Sequence, residues 1–351
     1  MPTHIDDPEF AALRHASAKL GRDPLRTQAA GGNTSLKRDG VLWVKASGTW
    51  LAEAEERDIF VAVSLPPLIT AIHANDERAA KATDFVVTDA NPQGLRPSVE
   101  TSVHAVLPQD VVLHIHCVET VARVARSDAR EQIAARLDGL DGIVWAYVPY
   151  VKPGLPLARE IHAVSKPGTN VVLLGNHGLI VAADTVADAV ALIGRVSAAL
   201  AAPARPAPEA DIAGLEALAE GSPYRLPTDP VAHGTATDPA RLFIAARGTL
   251  YPDHVVFLGS GTAVLAEGET PASVAERAAL PPMLLAVPGK GVLIHRDVLR
   301  GGDALARALA DVTGRIDADA PLRFLTVDEE QELVTWDAEI YRRSLAAAAK
   351  G

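Results

Sequence analysis

The sequence predicts an α/β protein built in two parts, and three observations carry that expectation. Amphipathic helical stripes alternate with short apolar, β-branched runs along the chain. A Pro/Ala-rich polar segment, residues 201–211 (AAPARPAPEAD), interrupts the alternation. With 351 residues, 48% of them hydrophobic and only 4% aromatic, the chain can build an aliphatic core on each side of that break. The expected organisation is a first domain over residues 1–200, a linker over 201–211 and a smaller C-terminal α/β domain over 212–351.

Taken in order, Phe10, Leu13, Ala16 and Leu20 form a helical stripe that Gly21 is expected to end. The stretch TQAAGGNTSLKRDG is polar and glycine-rich, a loop with room for a short strand. Residues 41–46 (VLWVKA) read as a strand, followed at once by Ser47, Gly48 and Thr49. Residues 66–74 look like a short helix, and Pro97 is expected to open another, because its missing N–H is harmless at a helix start. Residues 111–117 are an apolar run interrupted by two histidines, hence a buried strand. VVLLGNHGLIVA, residues 171–182, is two strands around a tight turn, and Asp184 is expected to cap the helix of residues 186–200. Beyond the break, strands are expected near 241–246, 254–258 and 284–287, with a helix over 303–316. The later segment PGKGVLIHRDVLRGGDALARAL echoes GNHGLIVAADTVADAVALIG, with Lys290 standing where His177 stood.

Charge and composition narrow the function. With 33 basic and 44 acidic residues the formal charge is −11, which argues against a nucleic-acid partner, since phosphate backbones need a basic footprint. No apolar run approaches the ~18 residues of a membrane span. The opening MPTHIDDPEF lacks the basic and apolar regions of a secretory signal, and the single cysteine, Cys117, excludes an internal disulfide framework. A cytoplasmic enzyme is the expectation.

The sharpest local feature is Leu113-His114-Ile115-His116. A strand alternates its side chains, so His114 and His116 project to one face, close enough to chelate one ion. An inert, hydrogen-bonded pair in a half-buried strand would have the same sequence, and two further features favour the metal. His177 sits in a tight turn between Asn176 and Gly178, where a bulky ring has no packing reason to be. Glu100, in Pro97-Ser98-Val99-Glu100, is placed at a helix start, which favours its ionised form. His104, one turn further along on the same helix face, could orient that carboxylate or be structural and is read as structural, and Cys117, on the opposite strand face from His116, as core. Three imidazoles with a carboxylate or water suit zinc first, and also manganese, cobalt or iron. A second constellation joins Gly31-Gly32-Asn33-Thr34-Ser35 with Ser47-Gly48 and Lys45. It can cradle an oxyanion, although GGNTS alone reads equally as a hydrophilic turn, and it has no P-loop spacing.

In order and type, GGNTS, WVKASG, PSVET, LHIHC, VPYVKPG and GNHGLIV resemble the class II aldolase/adducin family, across roughly residues 10 to 200. The pattern is most similar to the aldolase portion of proteins fused to a short-chain dehydrogenase. The resemblance implies a three-layer α/β/α sandwich with a mostly antiparallel central sheet, assembled as a homo-oligomer, with a tetramer favoured. It implies that His114, His116 and His177 bind metal, and that Glu100 alternates between metal ligand and acid/base. It implies too that Asn33, Ser47, Gly48 and Ser98 contact the substrate phosphate. The family usually has two serines before the acidic residue, whereas here Val99 follows Ser98, so phosphate against carboxylate stays open. Its proton-donating tyrosine is not assigned, with Tyr147 and Tyr150 the nearest candidates. The implied activity is that of a metal-dependent aldehyde-lyase of carbohydrate metabolism. It would cleave a carbon–carbon bond in a small sugar-derived hydroxyketone or hydroxyacid through a metal-stabilised enediolate. The rivals are a sugar-phosphate epimerase using the same bond cleavage, and a non-catalytic adducin-like binding protein, which would be expected to have eroded histidines.

Overall fold

The computed structural model describes residues 7–278 and 280–335. Residues 1–6 and 336–351, at the outer ends of the two expected domains, lie outside the described residues. The chain divides into two compact units. Leu200 ends the first, and the second begins at Ala201 and also takes in Val121–Ala129.

In chain order the elements up to Leu200 are α1 (Pro8–Arg22), β1 (Asn33–Arg38), β2 (Val41–Lys45), β3 (Phe60–Ser64), α2 (Leu65–His73), α3 (Thr101–Val106), β4 (Val111–Ile115), α4 (Val118–Val124), α5 (Ala129–Leu137), β5 (Trp145–Val148), α6 (Leu155–Val164), β6 (Val171–Leu174), β7 (Gly178–Ala183) and α7 (Val186–Leu200). The seven strands form one sheet in the order β3-β2-β1-β4-β7-β6-β5. Every neighbouring pair is antiparallel except β5 with β6. On one face, Leu42, Val44, Val112, Val172 and Ile180 pack against Leu68 and Ile72 of α2, Val103 of α3, and Leu157 and Ile161 of α6. On the other, α1 sets Phe10 edge-on to Trp43 and Phe60, with ring centroids 5.7 and 5.2 Å apart, and α7 lies beside α1. The first unit is thus a three-layer α/β/α sandwich around a mostly antiparallel sheet.

Three local expectations need correction. Helix α1 runs through Gly21 to Arg22 rather than ending there. A Cβ on Gly21 would lie 2.1 Å from the Ala52 backbone nitrogen, so this glycine permits a close approach of chain to helix and does not act as a stop signal. Pro97 does not open a helix. It forms a lone β-bridge with Ala46, and α3 begins only at Thr101, with Glu100 as its N-cap. Asp184 does not cap α7. Thr185, which directly precedes the first helical residue, accepts from the Asp188 N–H through its side chain at 3.1 Å.

The second unit contains α8 (Ile212–Ala219), β8 (Tyr224–Arg225), α9 (Gly234–Thr237), α10 (Pro239–Ala245), α11 (Pro252–Leu258), β9 (Ala263–Val264), α12 (Pro271–Arg277), β10 (Leu284–Val287), β11 (Gly291–His295), α13 (Gly302–Thr313) and α14 (Val327–Thr335). The strands expected near 241–246 and 254–258 are the helices α10 and α11. Their starts carry the signal that apolar content hid: a proline at the first helical position of each, and Asp238 accepting from Ala240 N–H at 2.9 Å. Every residue of α11 is buried, so it has no polar face to reveal a helical period. Residues 201–210 form no helix or strand, yet they are not slack. Arg205 donates its backbone N–H to Gly314 O (2.9 Å), and its guanidinium reaches Thr313 O (3.0 Å) and Asp238 (3.3 Å).

The sequence echo has a structural counterpart. The second sheet, β8-β11-β10-β9, is joined antiparallel, antiparallel and parallel, the same succession as β4-β7-β6-β5. In each case a helix follows the hairpin. Lys290, at the turn corresponding to His177, is paired with Asp211.

Candidate functional site

Antiparallel pairing brings distant parts of the chain to one end of the large sheet. Asn33, the first residue of β1, lies opposite His114 of β4, and His114 lies opposite Ile180 of β7. Ser47 follows the end of β2, the other neighbour of β1. His116 stands just past the end of β4, and the β6–β7 hairpin carries His177 in its turn.

That turn is built for close approach. Asn176 takes a left-handed φ of +52°, and His177 N–H closes on Leu174 O at 3.1 Å. Gly178 lies so near β4 that a Cβ there would sit 2.6 Å from Ile115 O and 3.2–3.3 Å from the rings of His116 and His114. Gly178→Ala is therefore expected to lower stability by about 1–3 kcal/mol, read as a lower urea midpoint. An unchanged midpoint would show that the hairpin has room to spare.

The three imidazoles converge. His114 Nε2 lies 3.3 Å from His177 Nε2 and 3.1 Å from His116 Nε2. One ligand atom from each falls within a 4.8 Å spread, and among the described residues this is the one such group. His114 Nδ1 donates to Leu179 O at 3.1 Å, which orients the ring so that Nε2 faces its neighbours. Glu100 completes the cluster, with Oε2 3.5 Å from His114 Nε2 and Oε1 3.8 Å from His177 Nε2. Burial alone would raise its pKa. The facing His114 and His177, a hydrogen bond from Asn33 and the nearby His116 together hold it at about 2, so the carboxyl is ionised. Convergent imidazole nitrogens with an ionised carboxylate beside them, one of whose oxygens has no hydrogen-bond partner, are a donor set that fits a divalent transition metal.

The other residues singled out from the sequence divide. Asn33 is buried and turned toward Glu100, donating from Nδ2 to Oε2 at 2.8 Å, while its Oδ1 meets His104 Nε2. Ser47 and Ser98 lie on segments that run side by side. Ser47 N–H donates to Arg96 O (2.8 Å), Ser98 N–H donates to Lys45 O (3.0 Å), and Gly48 takes a positive φ of 76°. Ser98 Oγ also accepts from Glu100 N–H at 3.2 Å, which fixes the entry to α3. Lys45 directs its ammonium at Ala30 O (2.8 Å) and Gly32 O (3.0 Å), tying down the glycine turn. Cys117 is buried against Arg26, Glu119 and Ser197, away from the histidines, and burial pushes its thiol pKa up. Tyr147 and Tyr150 both abut the histidine turn, since a Cβ on Gly175 would meet Tyr147 OH at 2.9 Å and Tyr150 N at 2.8 Å.

Sequence reasoning missed the partners of Asn33. Ser35 Oγ lies 2.6 Å from His104 Nδ1, so Ser35, His104, Asn33 and Glu100 form one buried chain. The signal was present as two spacings: Asn33 and Ser35 two apart on a strand, and Glu100 and His104 four apart at a helix start.

Comparison with known proteins bears on the same region. A family profile described as "Class II Aldolase and Adducin N-terminal domain" matches residues 11–202. A Bacillus subtilis (strain 168) protein named "Uncharacterized oxidoreductase YuxG" is 32% identical over 207 residues, covering 53% of this chain and 29% of that protein. This chain thus spans less than a third of that relative's length. Among solved structures, the N-terminal class II aldolase domain of a conserved protein from Thermoplasma acidophilum is 27% identical, with a TM-score of 0.47. The match covers 57% of this chain and 95% of that one. The l-fuculose-1-phosphate aldolase from Thermus thermophilus is 18% identical with a TM-score of 0.35, covering 55% and 91%.

Proposed function

Because the chain belongs to the class II aldolase and adducin N-terminal domain family, we propose that its first unit is a metal-dependent aldehyde-lyase acting on a small sugar-derived hydroxyketone or hydroxyacid. The observation that carries this reading is the convergence of His114, His116 and His177 beside an ionised Glu100. The three histidines would hold the ion, with Glu100 alternating between fourth ligand and acid/base, zinc first and manganese, cobalt or iron as alternatives. Bound there, a divalent cation supplies electrostatic stabilisation, worth several kcal/mol, for the negative charge left on the substrate oxygens when the carbon–carbon bond breaks.

The chain's own residues would do the rest. Glu100, ionised and buried, accepts the proton from the carbon next to the carbonyl in one direction and returns it in the other. Its Oε1, which has no hydrogen-bond partner, is the oxygen placed to do so. Ser47, Gly48 and Ser98 would hold the far end of the substrate, keeping the breaking bond in register. With Val99 beside Ser98 there is one hydroxyl fewer than a paired-serine cradle would offer. A carboxylate therefore stands beside phosphate as the group held there.

The test is an aldehyde-trapping assay of the metal-loaded protein against ketose phosphates, unphosphorylated ketoses and hydroxyacids. Glu100→Gln is expected to lower turnover by about 10²–10⁴-fold. Trapped aldehyde from a substrate of this class supports the lyase. An epimerised product without free aldehyde would move the reading to an epimerase, and a metal-loaded protein inert to every substrate would move it to a binding role.

A further inference from the structure

The chain from Ser35 to Glu100 can be read atom by atom. Asn33 Nδ2 is a donor, and it donates to Glu100 Oε2. Its Oδ1 must therefore accept from His104, which places the imidazole proton on Nε2. His104 Nδ1 is then an acceptor, and Ser35 Oγ–H fills it at 2.6 Å. Every hydrogen points the same way, toward the carboxylate. The geometry permits this because two periods match. Four residues of helix rise about 6 Å and two residues of strand rise about 6.6 Å, so Glu100 and His104 align with Asn33 and Ser35. Ser35 and His104 are 0% exposed, Glu100 4% and Asn33 5%, so water does not substitute for any link.

We propose that His104 is a positioning residue that acts through Asn33 to fix Glu100, anchoring Oε2 and presenting Oε1 to the imidazole cluster. The proposal rests on the reading of Glu100 as the proton carrier. A primary amide held on one side only can flip, and a flipped Asn33 would set its carbonyl against the carboxylate. His104 removes that alternative, and Ser35 removes the matching ambiguity in the imidazole. Burial holds the His104 pKa at about 3, so the ring stays neutral and keeps the tautomer the chain requires.

Two measurements test this, one with metal and one without. In the full-length protein, His104→Leu breaks the chain, whereas His104→Gln retains a donor at the Nε2 position. Cobalt(II) is the probe, because its visible absorption reports the ligand set. His104→Leu is expected to bind cobalt about 10–100-fold more weakly, with a spectrum displaced toward that of Glu100→Ala. His104→Gln is expected to stay within a few-fold of wild type, with the wild-type spectrum. In the metal-free protein, the urea-midpoint shifts of His104→Leu and Glu100→Ala should be less than additive, and additive once Asn33→Ala is present. A folded His104→Leu protein with wild-type cobalt affinity and spectrum overturns the proposal, as does additivity in the presence of Asn33. A wild type that takes up no cobalt overturns the metal reading instead, and the metal-free cycle then decides the proposal alone.

Discussion

Substituting His177 by alanine should strip the protein of tightly held divalent metal while leaving the fold in place. His177 Nε2 is one of three convergent nitrogens, 3.3 Å from that of His114, and it comes from the β6–β7 turn, whereas His114 and His116 come from β4 and the residue beyond its end. Loss of an orienting group around a metal typically weakens binding by 10–100-fold, so loss of a direct ligand should cost more than about 100-fold. The hairpin should survive, because its shape depends on the left-handed Asn176 and on the close approach at Gly178, not on the ring. Elemental analysis after gel filtration gives the readout. About one equivalent is expected in wild type and in Cys117→Ala, whose thiol lies away from the cluster, and essentially none in His177→Ala. Equal metal in wild type and His177→Ala would falsify the assignment of the turn histidine.

The second large effect concerns acid. His104 is buried and neutral in the folded protein. Burial holds its pKa at about 3 despite the nearby Glu100 carboxylate, while an exposed histidine titrates near 6.5. Between those values the unfolded chain binds a proton that the folded chain refuses, so stability is complete above pH 6.5 and falls as the pH drops toward 3. Each pH unit within that window removes about 1.4 kcal/mol. The metal-free protein should therefore lose several kcal/mol between pH 6.5 and pH 4, measured as falling urea midpoints. His104→Gln should flatten that slope by about one proton. It should not abolish it, because burial also lowers the pKa of His233 and His254. A variant with the wild-type slope would mean that His104 titrates normally in the folded chain.

Much of the first unit was legible because its signals are local. The histidine strand, the GNHG hairpin and α7 each announce themselves through alternation, a tight turn or a helical stripe, and each lies within a residue or two of its expected bounds. What escaped depended on partners far away in sequence. Gly21 looked like a helix stop because the Leu51–Ala52 backbone it meets is invisible to a local reading. That Asn33 is bonded to Glu100 and His104 was not legible, because those partners lie some seventy residues on. In the second unit, α10 and α11 read as strands because runs of seven residues, mostly apolar, are too short to count a period. Only the Asp-Pro and Tyr-Pro beginnings distinguished them.

The line of partners from Asn33 through His114 to Ile180 has a kinetic consequence. Its members come from segments 81 and 66 residues apart, so no portion of the chain leaving a ribosome early contains the whole arrangement. Loop closure between such distant strands is slow compared with helix formation. The ligating turn arrives last of all, with the β6–β7 hairpin. An ion should therefore find no high-affinity site on partly folded chains. Its uptake would act as a clock that starts only when the central four strands have closed, and it would stabilise the finished sheet by mass action without guiding its assembly.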